Sequence, residues 1–334
     1  MARTEEWLKA TPRGLQCVPG GFVIDPTAPV ERAVITHGHG DHARPGSAHV
    51  LATPGTIEIM RARFGADAGG SLQALDYGEW IGLGDVRLRF APAGHVLGSA
   101  QVVIEHGGTR VVVSGDYKRR PDPTCAPFEV VPCDLFVTEA TFGLPVFHHP
   151  AEAAEIGRLL DSLRLFPERT HLVGTYALGK AQRVLALLRR AGWDRPVWLH
   201  GALIALTDLY RRLGFDFGEL RPATGASKAE LRGQIVLCPP GALAEVWSRR
   251  MAEPIRAVAS GWMGVRARAR QARAELPLVI SDHADWEELT RTIREVGAGA
   301  VWVTHGREEA LVHYAEGLGI AAKALSLVGY DEEE

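Results

Sequence analysis

Three histidines and one aspartate lie within six consecutive positions of this 334-residue chain: His37, His39, Asp41 and His42. Glycines at positions 38 and 40 free the backbone, so a loop after a strand can turn all four side chains inward. Imidazoles and carboxylates are ligands that hold zinc or manganese at about 2.0–2.2 Å. Because the set contains no cysteine, it is typical of an open catalytic metal site rather than a closed structural one.

Further polar residues follow apolar runs of the sequence or lie in glycine turns beside them. They are His95, Asp116, Glu139, His283 and His305. Sheets of α/β proteins build their sites at the carboxyl ends of strands, so these positions are expected to meet at one edge. Any one of them alone would be weak support. Together with the histidine loop they predict a single site with many ligands.

Short strands must position these residues. Apolar or alternating runs predict strands at residues 33–36, 86–90, 110–114, 135–138, 197–199, 234–237, 278–280 and 301–303. Residues 152–166 and 180–191 have the periodicity of amphipathic helices. The pattern predicts an α/β protein with an αββα core in two segments, residues 1–150 and 275–334. A separate α/β layer over residues 151–274 is predicted to be an inserted cap.

The bulk composition sets limits on location and partners. A hydrophobic content of 46% and a charged content of 23% are ordinary for a soluble protein. Four cysteines without a CxxC pair suggest neither disulfides nor a cysteine zinc site, and the charged first ten residues are not a secretory signal. We therefore expect a cytoplasmic protein with no membrane partner.

The net charge of −3 neither indicates nor excludes a nucleic-acid binder. Basic residues are nevertheless dense in two places, residues 118–120 and the arginine-rich stretch between positions 249 and 273. Each cluster could equally be a solvated surface or a contact for an anionic partner. Local patches of this kind matter more for such a partner than the total charge.

The order of the metal-ligand signals resembles the metallo-β-lactamase superfamily. The additional Glu139, His283 and His305 resemble its nucleic-acid-processing branch, the β-CASP nucleases, as does the turn at residues 179–182. The amino-terminal runs at residues 11–15, 22–26 and 42–46 are similar to those of bacterial ligase-associated DNA exonucleases. The resemblance covers nearly the whole chain.

This resemblance implies a metallo-β-lactamase sandwich with an inserted β-CASP cap and two bound divalent ions. Zinc is the expected metal and manganese the alternative. The implied ligands are His37, His39 and His95 for the first ion, Asp41, His42 and His305 for the second, and Asp116 as the bridge. Asp25 would orient the histidine loop from behind, although a turn cap before Pro26 is an equally good interpretation.

The resemblance also implies roles in catalysis, with a metal-activated water attacking the scissile phosphate. Asp41 would orient that water or accept its proton. His283 would bind the phosphate and protonate the leaving oxygen, and Glu139 would hydrogen-bond His283 and keep it protonated. Lys180, near a helix amino terminus, and Ser281 are candidate substrate contacts.

The predicted function is therefore a two-metal phosphodiesterase acting on nucleic acid, with DNA favoured over RNA. A DNA exonuclease in repair or ligation is expected, with a DNA ligase or helicase of the same pathway as a partner. Histidine at position 305 follows the pattern of RNA-processing members, so a ribonuclease of the same fold is an alternative. A small ester or thioester hydrolase would not need the long cap, and an inactive scaffold would be expected to have lost metal ligands.

Overall fold

The computed structural model describes residues 4–251 and 253–325, which form two compact units. The first unit runs to His148 and resumes at His283, and the second is His149–Asp282. Sequence analysis placed the second boundary at residues 274/275. The segment from 275 to 282 lies in the second unit instead, because its strand Leu276–Leu278 pairs with Ile255–Ala259.

The elements are numbered in chain order within the described residues. The strands are β1 (Leu8–Thr11), β2 (Gly14–Cys17), β3 (Phe22–Ile24), β4 (Arg32–Val34), β5 (His49–Ala52), β6 (Ser71–Ala74), β7 (Ile81–Leu83), β8 (Val86–Pro92), β9 (Ala100–His106), β10 (Thr109–Val113), β11 (Leu135–Ala140), β12 (His171–Gly174), β13 (Val197–Leu199), β14 (Leu220–Pro222), β15 (Ile235–Cys238), β16 (Ile255–Ala259), β17 (Leu276–Leu278), β18 (Ala300–Gly306) and β19 (Ala321–Ala324). The α-helices are α1 (Thr4–Trp7), α2 (Pro54–Phe64), α3 (Glu152–Leu165), α4 (Lys180–Arg190), α5 (Gly201–Arg212), α6 (Lys228–Leu231), α7 (Arg266–Gln271), α8 (Trp286–Val296) and α9 (Glu308–Gly317). Short 3₁₀ helices cover Gly65–Ala68, Pro240–Leu243, Val246–Arg250 and Gly261–Gly264.

The first unit contains two mixed sheets. Strands β1 to β6 form a six-stranded sheet in chain order, antiparallel up to β3 and parallel from β3 onward. The second sheet has the order β19-β18-β11-β10-β9-β8-β7. It is parallel from β19 to β10 and antiparallel from β10 to β7.

The sheets of the first unit pack face to face and are covered by helices on their outer faces. Val102 and Ile104 of β9 belong to the core shared with the other sheet, whereas Val103 points to the opposite face. Because successive side chains alternate, a strand buried on both faces has a continuous apolar sequence. Helix α8, through Leu289, packs on the outer face of the seven-stranded sheet, and α2 packs through Ile57 on that of the six-stranded sheet.

The second unit is built on a parallel sheet of order β14-β13-β15-β12-β16-β17. Both predicted helices are present, as α3 and α4, and each buries its apolar face, for instance with Leu159 and Val184. These observations confirm the predicted α/β class. None of the helices in the described part of the chain is long and apolar enough to cross a membrane.

Candidate metal centre

The histidine loop follows β4 and is held by backbone contacts. The Ala43 amide donates to the carbonyl of His39 at 2.8 Å, and the Arg63 guanidinium donates to the carbonyl of Gly38 at 2.5 Å. His37 Nε2 lies 3.2 Å from His39 Nδ1, which in turn lies 3.0 Å from His95 Nε2. Three imidazole nitrogens from two loops therefore converge on one point.

Tight glycine turns bring His95 and Asp116 to the same place. Gly94, before His95, has a φ of 75°, and a Cβ atom there would lie 2.3 Å from the Lys118 carbonyl oxygen. Gly115, before Asp116, has a φ of 56°, and a Cβ atom there would lie 2.8 Å from the Thr36 side chain. Both positions require glycine, because other residues rarely adopt this backbone and would also clash.

The Asp116 carboxylate faces three imidazoles. Its Oδ2 atom lies 3.4 Å from His37 Nε2, 3.3 Å from His42 Nε2 and 3.9 Å from His95 Nε2. Donor atoms of His37, His39, His95 and Asp116 all lie within 4.8 Å of one another. The structure thus brings together four of the predicted metal ligands and places His42 beside the same carboxylate oxygen.

Asp25 lies behind the loop and orients it. Its carboxylate accepts the Thr36 amide at 2.8 Å, the Thr36 hydroxyl at 2.6 Å and His42 Nδ1 at 2.8 Å. Because the hydroxyl proton goes to Asp25, the Thr36 oxygen can accept from His37 Nδ1 at 3.0 Å. Both histidines are thereby turned so that Nε2 points into the cluster. Sequence analysis missed Thr36, whose only signal was its place at the start of the histidine motif.

Asp41, His42 and His305 form the other side of the cluster. Asp41 Oδ2 lies 3.4 Å from His42 Nε2, and the His305 ring centroid lies 5.4 Å from that of His42. His305 lies within β18, not after it, and has a φ of 57°. A register shift in the pairing of β11 with β18 occurs beside it, between Glu139 and Ala140. Such irregularities redirect side chains near active sites.

His283 and Glu139 form a buried pair next to Asp116. His283 Nδ1 lies 3.1 and 3.0 Å from the two carboxylate oxygens of Glu139. Glu139 was predicted to follow the strand, but it is the fifth residue of β11, which continues to Ala140. Donor atoms of Asp116, Glu139 and His283 also lie within 4.8 Å of one another.

Backbone contacts fix this pair to the loop that carries Asp116. The Tyr117 amide donates to Glu139 at 2.8 Å, and the Tyr117 carbonyl accepts the Ala284 amide at 2.7 Å. Arg120 donates to the carbonyl of His283 at 3.1 Å. Sequence analysis assigned Arg120 only to a basic run, so this contact was missed.

Electrostatics separates the imidazoles of the cluster into two kinds. Burial and the neighbouring His42 lower the pKa of His37 well below its usual value, and the same causes lower the pKa of His305 to about 4. Burial opposes a charge on His42, but Asp116, Asp41 and Asp25 outweigh it and raise the pKa of His42. His37 and His305 therefore offer neutral nitrogens at neutral pH.

The carboxylates of the cluster are ionised at neutral pH. Burial alone would raise the pKa of Asp41, but the adjacent His42 lowers it to about 2. Burial likewise opposes the charge on Asp116, but His42 and other imidazoles hold its pKa well below the usual value. Ionised carboxylates and neutral imidazoles are the forms that bind metals.

The spacing of the donors fits a divalent ion. Around a tetrahedral ion with bonds of about 2.0–2.1 Å, ligand atoms lie about 3.3 Å apart. Five pairs of nitrogen and oxygen atoms in the cluster are separated by 3.0–3.9 Å, and all the ligand atoms of His37, His39, His95 and Asp116 lie within 4.8 Å of one another. Their chemistry, imidazole and carboxylate without thiolate, suits zinc and manganese alike.

The two predicted substrate contacts lie in the second unit. Lys180 is buried at the start of α4, with Nζ 3.4 Å from Asp282 and 5.2 Å from the Tyr176 ring centroid. Ser281 is buried, and its carbonyl accepts a hydrogen bond from Arg183. Their roles toward a substrate stay predictions.

Comparisons with known proteins find relatives that are named as a DNA ligase and as ribonucleases. The chain is 30% identical to a protein named "Probable DNA ligase" from Opitutus terrae, over 88% of this chain but only 28% of that protein. It is 29% identical to a ribonuclease from Thermus thermophilus, over 93% of this chain and 89% of that protein. An endoribonuclease of Aspergillus fumigatus is 31% identical over 35% of this chain and 14% of its own length.

No family model matches the chain. Among solved structures, a protein of unknown function from Enterococcus faecalis is similar, with a TM-score of 0.56 and 14% identity, over 90% of this chain and 80% of that one. At this identity the likeness concerns the fold alone.

These relatives are nucleases of the metallo-β-lactamase superfamily and of its β-CASP branch, and two of them are similar to the chain over most of its length. The similarity fits the ligase-associated group of that branch.

Proposed function

We propose that this protein is a two-metal phosphodiesterase that cuts nucleic acid. The observation that carries the proposal is the convergence of His37, His39 and His95 on one oxygen of Asp116, with His42 facing the same oxygen. We further propose that the first unit is a metallo-β-lactamase sandwich and that the second, residues 149–282, is a β-CASP cap. The two face-to-face sheets with outer helices, and the parallel sheet of the second unit, support this assignment.

His37, His39 and His95 would hold one ion and Asp41, His42 and His305 the other, with Asp116 shared between them. When bound, two divalent ions would lower the pKa of a water and neutralise charge on the phosphate oxygens. Zinc is the first choice for this donor set, and manganese is the alternative.

The protein's own side chains then orient the reactants. The ionised Asp41 can accept a hydrogen bond from the attacking water and set its direction. Glu139 holds Nδ1 of His283, which donates to its carboxylate oxygens. His283 is left with Nε2 to bind the scissile phosphate and to give a proton to the leaving oxygen.

The substrate is proposed to be DNA, degraded from an end in repair or ligation beside a DNA ligase or helicase. Support comes from the amino-terminal runs of the sequence and from the relative named "Probable DNA ligase". Ribonuclease action of the same site is the second candidate. His305 supports it, as do the relatives that are named ribonucleases.

The proposal is tested with end-labelled single-stranded DNA and RNA of one sequence, with metal content determined in parallel. Wild type is compared with Asp116→Ala, His283→Ala and the control His313→Ala, an exposed histidine of α9. We expect wild type and control to shorten DNA from one end. His283→Ala should lose activity and keep its metal, and Asp116→Ala should lose both.

The other outcomes are equally informative. Cleavage of RNA alone would retain the mechanism and replace DNA by RNA as the substrate. Internal cuts in place of a ladder from one end would make the enzyme an endonuclease. A fully metallated wild type that cuts neither polymer would overturn the nuclease proposal.

A further inference from the structure

Exposed arginines are concentrated in one segment of the second unit. They lie on the 3₁₀ helix Val246–Arg250, on α7 and just after it. We call Arg249, Arg250, Arg266, Arg268, Arg270 and Arg273 the arginine surface, and all six are exposed. The chain as a whole has 37 basic residues against 40 acidic ones, so this concentration is local.

These six side chains lack acidic partners within the described residues. No carboxylate of residues 4–251 or 253–325 lies within 4.0 Å of any of them. Several other exposed arginines of the same unit are paired, as Arg164 is with Asp161, Arg211 with Asp208 and Arg221 with Glu219. Unpaired guanidinium groups in such number repel one another, and an external anion would relieve the repulsion.

Helix α7 presents its arginines outward on a fixed support. Ala269 and Ala272 pack against the apolar core of the unit, so the rest of the helix surface faces away from that core. Arg266 and Arg270 are four residues apart and share one side of the helix. The arginines of α7 therefore lie on a helix that is anchored to the core of the second unit.

An aromatic ring lies beside this charge. The guanidinium carbon of Arg268 lies 5.2 Å from the centroid of the Trp262 ring. Trp262 is only partly buried and packs with Trp247 against the same core as α7. A partly buried indole beside arginines is a combination that binds single-stranded nucleic acids, through phosphate pairing and base stacking.

We infer that the arginine surface binds the phosphate backbone of single-stranded nucleic acid, with Trp262 as a stacking partner for a base. A guanidinium group binds two phosphate oxygens at once. A row of such groups therefore favours a chain of phosphodiesters over a partner with isolated carboxylates. This inference rests on the proposed function and extends it. It assigns part of substrate binding to residues of the second unit that lie outside the metal centre.

The test measures binding apart from cleavage. All variants carry His283→Ala in the full, metal-loaded chain, and the probes are fluorescein-labelled 20-mers of thymidylate or uridylate. Anisotropy is recorded from 50 to 200 mM salt. The test variant is Arg266→Gln/Arg268→Gln/Arg270→Gln, and the control Arg164→Gln/Arg211→Gln/Arg221→Gln removes the same charge from ion-paired positions.

For single strands, each phosphate contact contributes about 0.7 to the slope of log affinity against log salt. The test variant lacks three arginines, so we expect the steepness of that slope to fall by about 2. The control should keep the slope of the unsubstituted surface. Trp262→Leu should weaken binding about tenfold with the slope unchanged, because stacking releases no counterions. Thermal unfolding of each variant identifies any that fails to fold, and the remaining variants then decide the result.

A cleavage assay on the chain that keeps His283 separates the nuclease proposal from the proposal that the arginine surface binds nucleic acid. If this chain cuts nucleic acid but the test variant binds like the control, the arginine surface is not a nucleic-acid site and the nuclease assignment stands. If the salt dependence of binding falls in the test variant but no polymer is cut, the arginine surface is a nucleic-acid site and the nuclease assignment fails. If neither probe binds the His283→Ala chain with its arginine surface intact at 50 mM salt, the inference is wrong and a different anionic partner must occupy the surface.

Discussion

Two clusters of buried charged side chains, one in each unit, differ in how their charges are balanced. In the second unit, Arg183 pairs with Asp282 at 2.9 Å and contacts Glu152, and Lys180 lies 3.4 Å from Asp282. Two cations there face two carboxylates. In the first unit, the carboxylates of Asp25, Asp41 and Asp116 lie beside His42, an imidazole whose pKa they raise.

The difference separates a structural cluster from a ligand site. Burying charge is unfavourable unless opposite charges and hydrogen bonds compensate it. The second-unit cluster is compensated by its own residues. The first-unit cluster brings three carboxylates together with the neutral nitrogens of His37 and His305, so a cation from outside the chain would complete it.

The largest expected effect follows from removing that cation. A ligand present at about a thousand times its dissociation constant stabilises the folded state by about 4 kcal/mol. We expect a chelator to lower the melting temperature of wild type and to leave that of Asp116→Ala unchanged. Asp282→Asn, which alters the second-unit cluster, should keep the full response. Scanning fluorimetry measures all three, and a wild type that does not respond to chelation would contradict the difference drawn between the clusters.

Breaking the balanced cluster should affect stability alone. Arg183→Met leaves buried carboxylates without their main partner, which typically costs about 3–5 kcal/mol. Arg164→Met removes an exposed arginine that pairs with Asp161, and such pairs contribute about 0–1 kcal/mol. Urea unfolding gives both values. Equal losses in the two variants would mean that Arg183 is not a structural counterion.

Much of the site could be predicted because each ligand type carries its own signal. His37, His39 and His42 stand in a glycine-containing run, and the structure gathers them with His95 and Asp116. The strand ends were less predictable. Glu139 and His305 lie inside their strands, because a register shift that depends on pairing between distant segments redirects the backbone there.

Contacts that form only in the tertiary fold have no local pattern in the sequence, so they could not be predicted from it. Thr36 links Asp25 to His37 through one hydroxyl group, and Arg120 reaches a carbonyl 163 positions away. The predicted boundary at residues 274/275 differs from the division of the chain at residues 282/283 for the same kind of reason. A short strand such as β17 has no sequence feature that tells which of two sheets it joins.

A smaller effect is expected at Arg120, which positions His283. Its guanidinium donates to the carbonyl of His283 and lies 3.6 Å from Asp285. Losing such outer support typically costs about 10- to 100-fold in activity. We expect Arg120→Ala to lower kcat with KM and metal content unchanged, and Arg120→Lys to recover part of the loss.

The neighbouring Arg119→Ala is the matched control, because Arg119 pairs with Glu295 and not with the His283 loop. The pH dependence of kcat should also move in Arg120→Ala, since the imidazole that gives the proton would be less well held. A purely structural role would lower stability without moving the pH profile.

The smallest effect is a pH dependence of stability at His171, in the second unit. Burial lowers the pKa of His171 in the folded state, where its Nδ1 donates to the Arg169 carbonyl and its Nε2 accepts from Ser162. As pH falls through the unfolded value of about 6.5, the unfolded chain gains a proton that the folded chain does not bind. The contribution to stability is therefore present above that pH and lost below it, by at most about 1.4 kcal/mol per pH unit. In urea titrations between pH 7.5 and 5.5 with saturating zinc, His171→Gln should lose less stability than wild type, because glutamine can keep both hydrogen bonds without titrating. Parallel losses in the two proteins would show that His171 does not contribute to the pH dependence.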